Sequence, residues 1–137
     1  VRMNDIEAAI GLSQLDTYYE KLDRKRSVAT IYREELAAKT VELLPEQEWA
    51  TDVYHAFPLL HPRADVLVEY LEEQNIGTSR LYQTPLHDYE IARSHTGNYP
   101  VAERFAAEVV LLPIHEQVAD SEAKTVADTV SSFLRNQ

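Results

Sequence analysis

The 137-residue sequence has no cysteine, and its three glycines, Gly11, Gly77 and Gly97, stand far apart. Without thiols there is no disulfide, no thiolate metal site and no cysteine nucleophile, and the redox compartment is left open. Isolated glycines exclude a glycine-rich loop that could cradle a phosphate. The longest apolar stretch, Ala106 to Ile114, is interrupted by Glu108 and Pro113 and is too short to span a bilayer. Positive charge is also scarce: 13 Lys and Arg against 23 Asp and Glu give a net charge of −10. Such a surface repels phosphate backbones, which argues against a nucleic-acid partner. The five histidines (His55, His61, His87, His95 and His115) never fall in pairs at i,i+3 or i,i+4, so a helix-borne metal site is not expected. Ser13, Ser27, Ser79 and Ser94 lack the context of a nucleophile elbow.

What is present is the composition of an ordinary globular domain, 45% apolar and 26% charged. The length suits one domain with a core of its own, and cytoplasmic residence is the default. Asn4 can cap a helix, with Glu7 three residues on as its capping-box partner. Ile6, Ala9, Ile10, Leu15, Tyr18, Tyr19, Leu22, Ala29, Tyr32 and Leu36 then recur at helical spacing, so one long or once-broken helix is expected from Asp5 to Ala38. Lys21, Arg24, Lys25 and Arg26 sit midway along it among acidic residues; they read as a solvated face or as a docking surface for acidic groups.

Val53 to Leu60 reads as a strand in which Pro58 marks an edge or a bulge. A short helix is expected over Asp65 to Gln74, ended by Asn75-Ile76-Gly77, and a second strand from Gly77 into Tyr82. Gly77 would allow a turn conformation that a side chain disfavours. Pro100 suits the first turn of a helix carrying Val101, Phe105, Ala106 and Val109 on one face. A buried strand, Val109 to Leu112, stops at Pro113, and Asp120 or Ser121 caps a last helix. The order α-β-α-β-α-β-α implies a small α/β domain, a sheet packed by helices. Pattern alone stops there.

Several blocks carry more. The opening Arg2-Met3-Asn4 runs into EAAIGLSQL; Val53-Tyr54-His55-Ala56-Phe57 follows, then Asn75-Ile76-Gly77-Thr78. Tyr82-Gln83-Thr84-Pro85-Leu86-His87, Tyr99-Pro100-Val101-Ala102-Glu103-Arg104 and Leu111-Leu112-Pro113-Ile114-His115 complete the series. In this order the blocks resemble the C-terminal part of the DegT/DnrJ/StrS-type sugar aminotransferases, pyridoxal-phosphate enzymes of fold type I. The resemblance covers almost the whole chain. It implies an α+β small domain with a long N-terminal helix and a three-stranded, largely antiparallel sheet. It also implies that residues 1–137 are that domain alone, separated from the large domain that bears the Schiff-base lysine.

By the same resemblance, the loop from Leu81 to His87 faces the active-site mouth, where Tyr82 and His87 would contact a nucleotide-sugar. A purely structural role is the alternative, with the Tyr82 hydroxyl in water and His87 on a backbone carbonyl. Leu81 stands where many members have a histidine. Arg2 belongs to the segment that reaches toward a neighbouring subunit's cofactor, while Arg80 matches no family position and reads as a surface charge. Lys21, Lys25, Lys39 and Lys124 do not fall where the Schiff-base lysine belongs, so this chain should neither hold pyridoxal phosphate nor transaminate alone. The parent implied is a cytoplasmic homodimer that makes amino sugars from keto-sugar nucleotides and an amino donor, without metal, membrane or nucleic acid. The alternative is a non-catalytic binding or regulatory module that keeps this fold. A helix-turn-helix regulator, suggested by AAIGLSQL, is disfavoured by the acidic charge and the unbroken helical period.

Overall fold

The computed structural model describes residues 3–37, 39–92 and 97–136. Arg2 and the expected helix end at Ala38 lie outside the described residues.

The first helical segment is broken once. Helix α1 (Asp5–Leu15) and helix α2 (Tyr18–Leu36) meet at Asp16 and Thr17. The expected capping box is formed: Asn4 Oδ1 accepts from the Glu7 N–H at 2.8 Å, and Glu7 Oε2 accepts from the Asn4 N–H at 3.0 Å. The two helices differ sharply in burial. No residue of α1 is buried, whereas Leu22, Val28, Ala29, Tyr32 and Leu36 of α2 are. The long apolar stripe therefore serves the core only in its second half.

Three short strands form one antiparallel sheet in the order β1 (Glu42–Leu43), β2 (Phe57–Leu60), β3 (Val109–Leu112). Phe57 pairs with Leu112 and Leu59 with Val110, so these four share one face of the pleat. That face packs against α2, helix α3 (Ala64–Glu73) and helix α5 (Asp120–Arg135), with Tyr32, Leu67, Leu71, Ala127 and Val130 closing the core. Leu60 and Val109 point to the other face, which helix α4 (Pro100–Glu108) covers with Ala106. Tyr32 donates its hydroxyl to the Pro113 carbonyl at 2.7 Å, and burial pushes its phenol well above the ordinary value. The chain thus closes an apolar core from its own residues, in the α+β arrangement expected.

Several details depart from expectation, each for a local reason. The strand begun at Val53 starts only at Phe57, because Tyr54 adopts φ 46° and takes the chain out of extended geometry. Its strand is the central one, yet β1 reaches only Leu59, so Pro58 has a partner on one side alone and no ladder bond is lost. The strand expected from Gly77 into Tyr82 reduces to a single bridge between Ser79 and Leu111, ended by Tyr82 at φ 62°. Residue Ala119, not Asp120 or Ser121, caps α5, its N–H held by the Glu122 carboxylate at 2.7 Å. The left-handed residue after α3 is Asn75, at φ 60°, and not Gly77. A Cβ at Gly77 would meet nothing within 4 Å.

Gly77→Ala should therefore stabilise the fold by about 0.4–1 kcal/mol through the unfolded chain. Asn75→Ala should cost about 1–2 kcal/mol for a left-handed alanine. Urea unfolding of both variants checks the pair; equal and opposite signs to these would place the turn's constraint at the glycine.

His61 is buried, its Nδ1 accepting from the Arg63 N–H at 3.1 Å and its ring edge-on to Phe133. Burial, aided by the Arg63 charge, holds its pKa below the ordinary 6.5. The unfolded chain then binds the proton more readily than the fold. The stabilisation from neutral His61 is complete above pH 6.5 and falls as pH drops below that value through the lower folded pKa. Melting temperature measured from pH 7.5 to 5 should fall more steeply for the wild type than for His61→Gln.

Candidate functional site

The Tyr82–His87 segment leaves the sheet directly after the Ser79–Leu111 bridge and is held at its root by Arg80. That side chain is 9% exposed and is not the surface charge expected. Its guanidinium donates to the carbonyls of Ala106 at 2.9 Å, Ala107 at 2.6 Å and Val109 at 3.2 Å, and it pairs with Asp65. Helix α4 runs straight into β3, with Val109 already extended as its C-cap. The last carbonyls of a helix lack intrahelical donors and carry partial negative charge, and Arg80 answers both needs. One cation joins the loop root, the end of α4, the start of β3 and the first turn of α3.

Beyond Tyr82 the loop runs through Pro85 into two short 3-10 turns, Leu86–Asp88 and Glu90–Ala92. Between this loop and the first turns of α4 lies a cleft of about 770 Å³ lined by Tyr82, Pro85, Tyr89, Tyr99, Val101 and Phe105 among others. Its walls are mostly apolar and aromatic, with the phenol groups as polar points. Tyr82 stands 76% exposed at the cleft. Tyr99 packs on His87 with the rings tilted by 35° and their centroids 4.8 Å apart, and Gly97 makes room for the Tyr99 ring where a Cβ would strike it.

His87 is not among the residues that line this cleft. It lines a second depression of about 530 Å³ that shares Leu86, Tyr99 and Ala102 with the first. Its Nε2 lies 3.3 Å from Glu103 Oε1 on α4 and 3.7 Å from Asp88 Oδ1. The two residues singled out in the sequence therefore occupy one loop but adjoining hollows, with Leu86 and Tyr99 as the ridge between them. Tyr89 and Tyr99, which sequence reasoning had not placed at a site, belong to the cleft wall. The only signal for Tyr99 lay in its block before Pro100, which read as a helix start.

The cleft is built for binding. Aromatic faces and phenol hydroxyls suit a flat or sugar-bearing ligand. No lysine lines it; Lys21, Lys39 and Lys124 are exposed elsewhere and Lys25 is half-buried on α2. Residues described here offer neither a Schiff-base amine nor a phosphate cradle for pyridoxal phosphate at this cleft, so no step through that cofactor is derived for this chain. Among the described residues no group of three or more His, Asp and Glu could hold a metal ion, and no helix is long and apolar enough to cross a membrane.

Residues 1–131 match the DegT/DnrJ/EryC1/StrS aminotransferase family. The chain belongs to this family. A dTDP-4-dehydro-2,3,6-trideoxy-D-glucose 4-aminotransferase of Saccharopolyspora spinosa is 33% identical over 129 residues, covering 91% of this chain and 33% of that protein. A protein of Geobacillus stearothermophilus named a pleiotropic regulatory protein is 27% identical and covers 98% of this chain and 38% of its own length. Among solved structures, Streptomyces venezuelae DesV, in complex with a ketimine intermediate, superposes with a TM-score of 0.90 at 26% identity, over 97% of this chain and 37% of that one. The chain spans little more than a third of the length of the curated relatives it matches.

Replacing Arg80 by Met should destabilise the fold by roughly 1–3 kcal/mol, because carbonyls at the α4 end lose their only charged donor among the described residues. Arg80→Lys should recover only part, since a single ammonium lacks the guanidinium's fork of donors for three carbonyls. Chemical unfolding of the two variants measures it.

Proposed function

We propose that residues 1–137 are the C-terminal small domain of a pyridoxal-phosphate-dependent nucleotide-sugar aminotransferase, which turns a keto-sugar nucleotide into an amino sugar. The observation that carries this reading is the family match over residues 1–131 together with a chain spanning about a third of its curated relatives. In the parent enzyme the large domain supplies the lysine and holds the cofactor. This chain supplies a wall of the substrate cleft, with Tyr82 at the aromatic cleft and His87 in the adjoining hollow as polar contacts, and Arg2 near the cofactor of the neighbouring subunit in a cytoplasmic homodimer.

The exposed apolar surface supports the same reading. Ile6, Ile10, Leu15 and Tyr19 along the first two helices are 74%, 55%, 61% and 76% exposed, more than a free-standing surface ordinarily leaves in one stripe. A covering domain or subunit removes that surface from water. The relative named as a regulatory protein favours a non-catalytic module, but it is itself about as long as the transaminases, so its name does not speak for a module of this size.

In the parent enzyme, Tyr82→Phe and His87→Ala should each lower kcat/KM by about five- to a hundredfold, the loss of one hydrogen bond worth roughly 1–3 kcal/mol. Thermal unfolding should change little. A lowered melting temperature with unchanged kcat and KM in both variants would return these side chains to a structural role. The 137-residue chain alone, mixed with stoichiometric pyridoxal phosphate, should give no aldimine absorbance that survives gel filtration; a retained band would overturn the fragment reading.

A further inference from the structure

We propose that a cleft apart from both of these hollows, bounded by Lys21, Lys25 and His55, binds a phosphate-type dianion. The chain has 13 cationic side chains and a net charge of −10, yet four of those cations fall within six residues of α2. Two are already engaged. Arg24 donates to the Val118 carbonyl and pairs with Asp120 at 2.6 Å, pinning α2 to the start of α5. Arg26 pairs with Asp23 at 3.2 Å and donates to the Asp52 carbonyl.

Lys21 and Lys25 form no ion pair with a described residue. They stand one turn apart on the same face, where like charges repel and destabilise the helix. An anion between them turns that repulsion into attraction.

Lys21 and Lys25 line a cleft of about 250 Å³ with Tyr18, His55 and Glu116, over the apolar side chains of Leu22 and Val53. The phenol and imidazole add donors of the kind that phosphate oxygens accept. Glu116 sits at the rim as an anion of the chain's own. Its carboxyl is held below the ordinary carboxylate range by its own backbone N–H first, and then by the charges of Lys21 and Lys25. A carboxylate at this rim is therefore already favoured by both lysines. A phosphate dianion carries nearly twice the charge and three acceptor oxygens, and competes for the same cations. This cleft is separate from the aromatic one and does not depend on the aminotransferase reading.

The test is a titration of the ¹⁵N-labelled 137-residue chain, which closes its own core, with inorganic phosphate above its second pKa, where it is a dianion, at constant ionic strength set by chloride. Saturable shifts concentrated at Lys21, Lys25, His55 and Glu116 are expected. Lys21→Met and Lys25→Met should each weaken binding about fivefold and the double variant should abolish the saturable shifts. Glu116→Gln should strengthen binding severalfold by removing the competing anion. A nucleoside monophosphate that binds more tightly than inorganic phosphate identifies a nucleotide as the ligand, and equal affinities identify the phosphate group alone; both sustain the site. Shifts that do not saturate, that spread evenly over the chain's cations, or that persist in the folded double variant would overturn it.

Discussion

The Arg80 guanidinium is the point on which the cleft depends. It satisfies carbonyls at the end of α4 and the start of β3 while its own backbone leads from the Ser79–Leu111 bridge into the Tyr82 loop. Helix ends usually close with a glycine or a turn that supplies backbone donors. Here neither is present, because the helix passes without a connector into a strand. A buried guanidinium, with five donors in a rigid fork, fits that place. The position of the loop and the position of the cleft's opposite wall are thus tied to one side chain.

The surface divides into regions of different character. The core face of the sheet is sealed by α2, α3 and α5, whereas α1, the Tyr82 loop and the start of α4 leave large apolar side chains in water. Leu86, Ile91 and Val101 are 76%, 90% and 82% exposed close to the cleft. Exposed apolar surface concentrated around a binding hollow is the pattern of a wall that another body completes. Membership of a family whose curated members are nearly three times as long agrees with that pattern.

Much of this fold was legible in the sequence because it rests on local signals. The capping box at Asn4 and Glu7, the proline that starts α4 and the presence of a last helix were readable from local pattern, and each is found. What was not legible depends on contacts between distant segments. Strand β1 has two residues and exists only through its pairing with Leu59 and Leu60. Arg80 read as a surface charge because it matches no position of the resemblance; its carbonyl acceptors lie 26 to 29 residues away and its carboxylate partner, Asp65, lies 15 away. The clue available was the absence of any glycine or turn between Glu108 and Val109, which leaves carbonyls in need of a donor. Tyr82 and His87 lie on one loop, but the ridge of Leu86 and Tyr99 between them follows from the 3-10 turns and from the bare Gly97, which no periodicity reveals.

The direct passage from Glu108 to Val109 has a mechanical meaning. A helix joined to a strand by a loop can pivot; α4 cannot turn without twisting β3, whose residues interlock with the central strand and the core. The α4 side of the cleft is therefore as stiff as the sheet itself. The opposite side hangs from a single bridge and carries its own turns with few buried groups. The two sides of the cleft are thus anchored unequally, one by the whole sheet and the other by one bridge and the Arg80 side chain.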